Sequence, residues 1–533
     1  MKKKLIALLT ATACAVPMVS MVGCGGGDDD HQFTILAVKE ETVVDYNEMP
    51  VFKELNAATG KDVFWKFNTP NQYANNTDPI GTRGIDAIYH AGFSNLDLYN
   101  YGRRNRIVAI DQYLDSMPNF KAILNSRPDI WEALKSPDGH IYSLPRIEEM
   151  GLKQYPNILF INKVWIEKLI DTNNMPEGVE LTKADLKDGL DLYRWEYKAI
   201  LEKFQALDMD PNIDDANEVP LAFAHGNWQG NESDLIASFG VPENREHKTI
   251  VNGQVTFTVE MPEWFEAIQE MNDWFRKGLI RSASLVQDQD TFLARGQDGR
   301  YGSFYWWEKE TVVRSDLRDN YIIVLPLKDD DGKRYVGVSN ELEVEKGECI
   351  ILGSCKDKAG LLSYFDKFFE PDYSAQLNYG SIEVGAFKAE KENGKLIPND
   401  DHGAQSADDF RMRNAPYGVI YLTDEVWENS VQMESRALLR KDRLAKYITP
   451  YTYPGATSIP NLNYTEQQLK DLNNSEMTLN RIGSQIVTWI RAESAPTLAD
   501  YNSFISSMQS VLNTIKNINQ DGYDRYLAAL AGN

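Results

Sequence analysis

The chain has 533 residues, of which 42% are hydrophobic and 11% aromatic, and its formal net charge is −24 at pH 7. This length exceeds what one hydrophobic core usually serves, so two packed lobes are expected and a disordered chain is excluded. The acidic balance argues against a protein that binds nucleic acid or anionic lipid headgroups through a basic surface. The one basic cluster, Arg103–Arg106, is short and is interpreted as a solvated helix end.

The first thirty residues have the pattern of an export leader. Lys2–Lys4 precede an apolar run, Leu5–Val16, that is shorter than the ~20 residues of a membrane span. Cys24 follows Met21–Gly23 and precedes the Gly/Asp segment 25–30. This arrangement resembles the lipobox of bacterial lipoproteins, with Met21 in place of the usual Leu. It implies cleavage after residue 23 and a diacylglycerol anchor on Cys24; an ordinary signal peptide with an incidental cysteine is the alternative.

Short apolar runs alternate with helix-compatible sequence through most of the chain. Such alternation predicts α/β lobes, each with a mainly parallel sheet flanked by helices. Val51–Thr59 has a helical pattern that ends at Gly60, a favourable C-terminal stop. The apolar runs that predict buried strands are Phe33–Val38, Val63–Phe67, Ile85–Tyr89, Asn157–Asn162 and Pro220–Ala224.

Two hairpins and a helical C-terminal region complete the predicted elements. Asn252-Gly253 and Asp331-Gly332 each separate two apolar runs, and both predict the turn of a β-hairpin. Thr465 and Gln468 form a capping-box pattern that predicts a helix start. From Leu479 onwards, apolar residues recur at helical spacing, which predicts helices that pack one face on a core.

Few residues suit a disulfide or a metal site, and no cofactor is expected. Cys349 and Cys355 are interpreted as two buried thiols, although an exported protein can also form a disulfide between them. The six histidines form no cluster with cysteines that would support a zinc site. The acidic segment Asp208–Glu218 has a spacing similar to that of a calcium loop, but Ile213 stands where glycine is needed and the final glutamate is out of register. A metal-free exposed loop is the preferred interpretation, with calcium binding as the alternative.

Several segments, in their order along the chain, resemble the extracellular solute-binding proteins of ABC importers. The similarity is to the carbohydrate-binding, maltose-binding-protein-like group of family 1 type. Asp138–Pro145 is the best single match, because the family has Asp-Gly-Lys-Ile-Tyr-Ala-Leu-Pro at this point. The other segments that resemble the family are Gly84–Tyr89, Arg106–Tyr113, Leu159–Lys163, Gly278–Ile280 and Tyr301–Trp307.

The resemblance implies a periplasmic-binding-protein-like fold, in which two α/β lobes are joined by crossing strands and close around a ligand. Crossings are then expected near Leu144–Glu149, Tyr335–Ser339 and Lys395–Asp408. The implied domains are a signal peptide at 1–23, a lipid-anchored tether at 24–32, an N-terminal lobe at 33–144 plus 336–400, and a C-terminal lobe at 145–335 plus 401–533.

Aromatic residues are the first candidates for the ligand site that the resemblance implies. Sugars present flat apolar faces edged with hydroxyl groups, so their sites need rings for stacking and polar side chains for the rim. Trp306 and Trp307 follow the predicted strand that starts at Gly302, at the family's aromatic position; one is expected to face the cleft and the other the core. Trp228 lies in a glycine-flanked loop after a predicted strand, which favours exposure over a core position.

The remaining candidates come after predicted strands or the hinge. The two glutamates after the hinge proline, Glu148 and Glu149, have an alternative interpretation as carboxylates that are only solvated. Tyr89 occupies a position where the family often has tryptophan, which leaves the type of sugar open. These candidates are Glu40 and Glu41 after the first strand, Glu148 and Glu149 after the hinge proline, Tyr89, Phe93 and Asn95 at the end of the Gly84–Tyr89 strand, and Arg413 and Tyr417 in the late cleft-lining region.

The function implied by the resemblance is that of a monomeric, non-enzymatic receptor outside the cytoplasm. It would capture an oligosaccharide and deliver it to a separate membrane permease, held at the outer face of the membrane by lipid on Cys24. A surface glycoside hydrolase is an alternative that needs two carboxylates ~5–9 Å apart, for which Glu40/Glu41 and Glu148/Glu149 are the available pairs. A third hypothesis keeps the fold and changes the ligand to a peptide or another polar solute. Transport and sensing roles both stay open.

Overall fold

The structure is a computed structural model that describes residues 31–76, 78–150, 157–214, 217–339, 343–403 and 406–531. The expected signal peptide, Cys24 and most of the tether lie outside the described residues. Within these ranges, no helix combines the length and the apolar character that crossing a bilayer requires.

Two mixed β-sheets form the centres of two lobes, and a small third sheet lies against the second lobe. The strands are β1 Phe33–Val38, β2 Val63–Asn68, β3 Ala87–Tyr89, β4 Leu144–Glu148, β5 Ile158–Asn162, β6 Val219–Ala222, β7 Lys248–Val251, β8 Gln254–Phe257, β9 Tyr301–Trp306, β10 Tyr321–Val324, β11 Val344–Ile351, β12 Ile420–Leu422 and β13 Ala456–Thr457.

Helices cover both faces of the two large sheets. They are α1 Pro50–Thr59, α2 Pro70–Ala74, α3 Asn95–Gly102, α4 Pro118–Ser126, α5 Pro128–Leu134, α6 Lys163–Asp171, α7 Arg194–Ala206, α8 Ser233–Ala237, α9 Pro262–Arg276, α10 Gln289–Gln297, α11 Lys309–Val312, α12 Lys358–Asp366, α13 Pro371–Tyr379, α14 Ala407–Asn414, α15 Asp424–Asn429, α16 Ser435–Tyr447, α17 Glu466–Arg491 and α18 Leu498–Ala531.

The sheets are mixed, where the sequence predicted mainly parallel ones. The first sheet has the order β12-β4-β11-β3-β1-β2, and β11 runs antiparallel to both of its neighbours because the chain inserts it on returning from the second lobe. The second sheet has the order β10-β5-β9-β6, in which only β6 and β9 are parallel. The prediction of two α/β lobes is confirmed, with this correction to the strand directions.

The ends of several elements agree with the local sequence signals. Helix α1 ends at Gly60, which has the left-handed φ of 63° expected of a helix stop. Thr465 and Gln468 form the predicted capping box at the start of α17. The hairpin of β7 and β8 turns at Asn252-Gly253, whose φ angles of 49° and 80° match a type I′ turn.

The second predicted hairpin, at Asp331-Gly332, is wrong as a strand pair. The apolar run before it contributes β10, which pairs with β5, and the other edge of β10 is occupied by Leu190 through a bridge to Val324. Only Lys328 and Arg334 form an isolated antiparallel bridge across the turn. The turn is therefore present without the predicted second strand.

Two strands join the first sheet although the sequence-based boundaries placed most of their residues in the second lobe. β4 lies next to β11, and β12 runs parallel to β4 with Ile420 opposite Arg146. Both assignments follow from backbone pairing, which short apolar segments do not reveal in the sequence. The first sheet thus contains the strand of the predicted hinge, and the chain leaves this sheet only after Glu148.

The C-terminal helices α17 and α18 pack on the core of the second lobe, as their apolar spacing predicted. Ile486, Ile490 and Met508 are buried there. At its first turn, α17 also reaches the first lobe, since Glu466 accepts hydrogen bonds from the Tyr99 hydroxyl and the Arg103 guanidinium at 3.0 and 3.1 Å. The helical region therefore contacts both lobes.

Tyr89 belongs to the core and not to the ligand site for which the sequence proposed it. Its side chain is 0% exposed, and its ring packs against Trp65 with 5.3 Å between ring centres. The hydroxyl donates to the Tyr417 carbonyl and accepts the Val419 N–H at 3.1 Å. Gly418 between them has a φ of 84°, and a Cβ there would lie 2.5 Å from the Tyr89 ring. Tyr89 therefore joins the end of β3 to the segment that leads into β12.

We expect Tyr89→Phe to lower the free energy of unfolding by about 1–3 kcal/mol, because two buried backbone groups would lose their partner. Denaturant unfolding followed by circular dichroism measures this loss. Tyr373→Phe is the matched control: its hydroxyl makes an exposed contact of 3.3 Å with Glu54, and its loss should change stability by less than about 0.5 kcal/mol. Equal effects of the two substitutions would contradict the structural role of Tyr89.

Candidate ligand-binding site

Of the two adjacent tryptophans after Gly302, the structure assigns Trp306 to the core. Trp306 is 1% exposed and stacks on Phe292 with 4.8 Å between ring centres. Trp306 is therefore the member of the two that faces the core, because its position in β9 points the side chain into the lobe, and it offers no exposed surface to a ligand. Trp307, the next residue, is half-buried at the end of the strand.

Trp307 and Trp228 form an aromatic pair beyond the C-terminal ends of β9 and β6, called here the tryptophan pair. Their ring centres are 4.8 Å apart and their planes are perpendicular at 89°. Trp228 is 36% exposed, and its indole N–H donates to Gln289 Oε1 at 2.9 Å. The guanidinium of Arg440, which is 3% exposed, lies 4.3 Å from the centre of the Trp307 ring. The pair is thus an oriented aromatic surface with solvent access at Trp228.

The loop that carries Trp228 is closed by a buried ion pair. His225 Nδ1 lies 2.6 Å from Glu232 Oε1, and both side chains are largely buried. The Ala224 N–H donates to the Gly230 carbonyl at 2.8 Å. Gly230 has a φ of 64°, and a Cβ there would lie 2.2 Å from the Trp306 ring. These contacts hold Trp228 at a fixed place beside Trp307.

On the first lobe, a buried group of polar side chains surrounds Glu148. The Arg146 guanidinium donates to Glu148, and Asn378 Nδ2 donates to Glu148 Oε1 at 2.7 Å. Arg411 donates to Asn378 Oδ1 at 2.7 Å, and its guanidinium carbon lies 4.4 Å from the centre of the Tyr379 ring. The sequence candidate Glu148 is therefore held in an ion-paired setting between β4, α13 and α14.

On the second lobe, a similar group begins next to Trp307. Arg436 lies 3.4 Å from Glu308 and 3.5 Å from Glu434. Burial lowers the pKa of Arg440 to about 9, while the nearby charges of Glu308 and Asp234 act in the opposite direction. Burial also raises the pKa of Asp234 to about 7.

The two groups form one charged region that crosses between the lobes. Glu434 acts electrostatically on both Arg411 and Tyr379 of the first lobe, and it pairs with Arg436 on α16. Ligand sites favour such boundaries between domains. We call this region the interlobe network; its charged members are Arg146, Glu148, Asp234, Glu308, Arg411, Glu434, Arg436 and Arg440.

Tyr417 lies beside the network, whereas Glu149 has a structural setting. The Tyr417 ring centre is 5.2 Å from the Arg411 guanidinium carbon and 5.9 Å from that of Arg146. Glu149 pairs with Arg127 at 2.6 Å, and its carbonyl accepts the Trp427 indole N–H at 2.9 Å. Glu149 therefore anchors α15 and the start of α5 near the hinge.

The other candidates lie on the first lobe with no contact to the network that the structure describes. Glu40 and Glu41 are exposed in the turn after β1. Arg413 is exposed at the end of α14, and its carbonyl accepts the Val44 N–H at 3.0 Å, which brings these two segments together. Asn95 is half-buried at the first position of α3. Their role in binding stays a prediction.

Sequence reasoning missed the arginines of the network, and one signal for them was available. In α16, the buried positions Ala437, Arg440 and Leu444 recur at helical spacing. A charged residue within an apolar stripe must be paired or must serve a ligand. Arg440 could have been selected on this ground, whereas Arg411 gains its partners only through tertiary contacts. Arg146 pairs with Glu148 two residues further along β4.

The cysteines and the acidic loop have structural explanations. Cys349 and Cys355 are buried free thiols, as preferred from the sequence. Both carboxylate oxygens of Glu218 accept the Met209 N–H at 3.1 Å, so this side chain closes the 208–218 loop, of which residues 215 and 216 lie outside the described part. Among the described residues, no group of three or more His, Cys, Asp and Glu side chains is placed to hold a metal ion.

Stability should depend on pH through the pair that closes the Trp228 loop. Burial alone would lower the pKa of His225, but the Glu232 carboxylate outweighs burial and raises it above 6.5. For Glu232, burial would raise the pKa, and His225 outweighs it and lowers the pKa below 4.5. The histidine's contribution is complete below pH 6.5 and is lost as pH rises through its raised pKa; the glutamate's is complete above pH 4.5.

We therefore expect the stability advantage of the unmodified protein over His225→Gln to be greatest between pH 4.5 and 6.5 and to shrink towards pH 8.5. Melting temperatures across this range measure the difference. His31→Gln removes a histidine that pairs with Asp62 on the surface, and its effect should vary little. An advantage of the same size at pH 5.5 and 8.5 would contradict the assignment.

Comparisons with known proteins agree with this architecture. No protein-family model matches the chain. Over 500 residues, 91% of this chain and 88% of the relative, it is 26% identical to the fructooligosaccharide ABC transporter substrate-binding protein FusA of Streptococcus pneumoniae serotype 4.

Two solved structures share the fold over nearly their whole length. S. pneumoniae FusA in complex with kestose has a TM-score of 0.82 at 23% identity, and the match covers 93% of this chain and 99% of that one. An HMO-binding, ABC-transporter-associated solute-binding protein from Bifidobacterium longum infantis has a TM-score of 0.75 at 18% identity, and the match covers 93% of this chain and 98% of that one. The chain has the two-lobed fold of extracellular solute-binding proteins and is a homologue of ABC transporter substrate-binding proteins.

Proposed function

We propose that this protein captures an oligosaccharide between its two lobes and delivers it to the membrane permease of an ABC importer. The observation that carries the proposal is the tryptophan pair, which lies on the second lobe beside a charged network whose Glu434 acts electrostatically on Arg411 of the first lobe. The homologous protein of S. pneumoniae, a fructooligosaccharide substrate-binding protein, supports the same class of ligand.

The chemistry of the site suits sugars. Indole rings provide flat apolar surfaces for the carbon faces of a pyranose or furanose ring, and the ion-paired side chains provide donors and acceptors for hydroxyl groups. A ligand that contacts both lobes stabilises the closed arrangement by its differential affinity for that arrangement. Closure by hinge motion then gives the permease a distinct shape to recognise.

Capture without chemical change is the proposed activity. A glycoside hydrolase needs one carboxylic acid that donates a proton and a second carboxylate on the other side of the scissile bond. Glu148 and Glu149, the candidate pair near the hinge, are both hydrogen-bonded to guanidinium groups of Arg146 and Arg127. These are the contacts of structural ion pairs, which favours a receptor over a hydrolase.

The receptor is proposed to act outside the cytoplasm, held to the membrane by lipid on Cys24. The leader and lipobox pattern of residues 1–24 supports this location. In cells fed an alkyne analogue of palmitate, we expect the protein to be labelled and Cys24→Ala to be unlabelled and released from the membrane fraction. Equal labelling of both forms would contradict anchoring at Cys24.

We expect the lipid-free 25–533 protein to bind at least one member of a saccharide panel that starts with kestose. A ligand present at 100 times its dissociation constant should stabilise the fold by ~2.7 kcal/mol, which a thermal-shift titration detects. Trp228→Ala and Trp307→Ala should each weaken binding at least tenfold, or by ~1.4 kcal/mol, because a stacking surface is lost.

Trp195→Ala is the matched control, since this tryptophan is exposed on α7 and stacks on Tyr193 away from the network. It should leave the affinity unchanged. The bound sugar should be recovered intact after hours of incubation. Cleavage of the sugar would favour the hydrolase, and a response to peptides alone would favour the same fold with another ligand.

A further inference from the structure

The guanidinium groups of the interlobe network already have anionic partners. Arg146 donates to Glu148, and Arg411 lies 3.7 Å from the same carboxylate. Arg436 stands between Glu308 and Glu434 at 3.4 and 3.5 Å. These carboxylates already compensate the positive charges with which the arginines would recognise a carboxylate, sulfate or phosphate of a ligand.

Arg440 completes the charge balance. It is almost fully buried against the Trp307 ring, and the charges of Glu308 and Asp234 act on it. Glu345 and Glu348 also act on Arg146, so among the described residues the four arginines face at least four carboxylates even where the raised pKa of Asp234 leaves that group partly protonated. These residues leave no excess of positive charge for an anion. An anionic ligand would have to displace a carboxylate, and the displaced charge would remain buried without its partner.

We infer that the site selects uncharged oligosaccharides and rejects those that carry carboxylate or sulfate groups. This inference rests on the proposed function and names the charge class of its ligand. A hydroxyl group both donates and accepts a hydrogen bond, so a neutral sugar contacts paired guanidiniums and carboxylates without separating them. The neutral ligand keeps every ion pair, whereas the acidic one breaks at least one.

The charge of the whole molecule acts in the same direction. The formal net charge of −24 produces a negative field around the protein, which lowers the rate at which anionic saccharides reach the site. Salt screens this long-range contribution within ~8–10 Å, but it screens the buried pairs much less. Selectivity that persists at high salt therefore reports on the network itself.

Glu308 is the residue of the network whose removal tests the inference most directly. It directly follows Trp307, and its Oε1 lies 3.4 Å from Arg436 and accepts the Thr311 hydroxyl at 2.8 Å. Glu308→Gln keeps the size and hydrogen-bonding groups of the side chain and removes its charge. The network would then carry one negative charge fewer beside the tryptophan pair.

The experiment compares neutral saccharides with carboxylated counterparts of the same backbone length by isothermal titration. The matched pairs are kestose with its C6-oxidised derivative, xylotriose with its glucuronic-acid-substituted form, and a neutral hexose trimer with trigalacturonic acid. In 0.5 M NaCl, we expect each acidic partner of a bound neutral sugar to bind at least tenfold more weakly. In Glu308→Gln, the ratio of the dissociation constant of the acidic saccharide to that of its neutral partner should fall at least threefold.

Glu260→Gln is the matched control, because Glu260 is a half-buried glutamate that pairs with Lys516 at 2.7 Å on the outer side of the second lobe. It should leave the ratio unchanged. Glu434 pairs with Arg436 as Glu308 does. If Glu308→Gln lacks a cooperative melting transition, Glu434→Gln is measured in its place.

Tight binding of an acidic saccharide to the unmodified protein would overturn the inference and leave the proposed function standing. The inference would also be overturned if a network variant kept the full tenfold ratio. Failure of every saccharide, neutral and acidic, would overturn the proposed function and the inference together.

Discussion

The structure depends on how charged side chains are accommodated where the two lobes meet. Removing an ionised group from water costs several kcal/mol unless another charge and hydrogen bonds compensate. Glu148 meets this requirement through Arg146 and Asn378, and the network continues to the second lobe through Glu434 and Arg436. Each lobe therefore presents polar groups that are oriented before any ligand arrives. Such preorganisation lowers the entropy that binding costs.

The aromatic surface depends on the same network. Arg440 covers one side of Trp307, and Gln289 fixes the indole of Trp228 by a hydrogen bond. The orientation of both rings is thus set by charged and polar neighbours, while the loop beneath Trp228 is closed by His225 and Glu232. Stacking and hydrogen bonding are therefore coupled, since a change in the charge of the network also affects the side chains that orient the two rings.

Most of the fold was accessible from sequence because its signals are local. Buried strands such as Phe33–Val38, the stop at Gly60 and the capping box at Thr465 depend on neighbouring residues, and each appears in the structure. The site was less accessible. Trp228 and Trp307 were identified from their positions after strands. The same argument also selected Trp306 and Tyr89, which are buried, because the face of a strand that meets the core is decided by tertiary packing. Arg411 gains its role from tertiary contacts with Asn378 and Glu148, which the sequence around it does not reveal.

A crystal structure of the protein with a bound saccharide decides whether one ligand bridges the two lobes. We expect a sugar ring against the tryptophan pair, with hydroxyl groups within about 3 Å of network side chains from both lobes. A saccharide seated on one lobe alone, with Trp228 and Trp307 free of contact, would contradict this expectation.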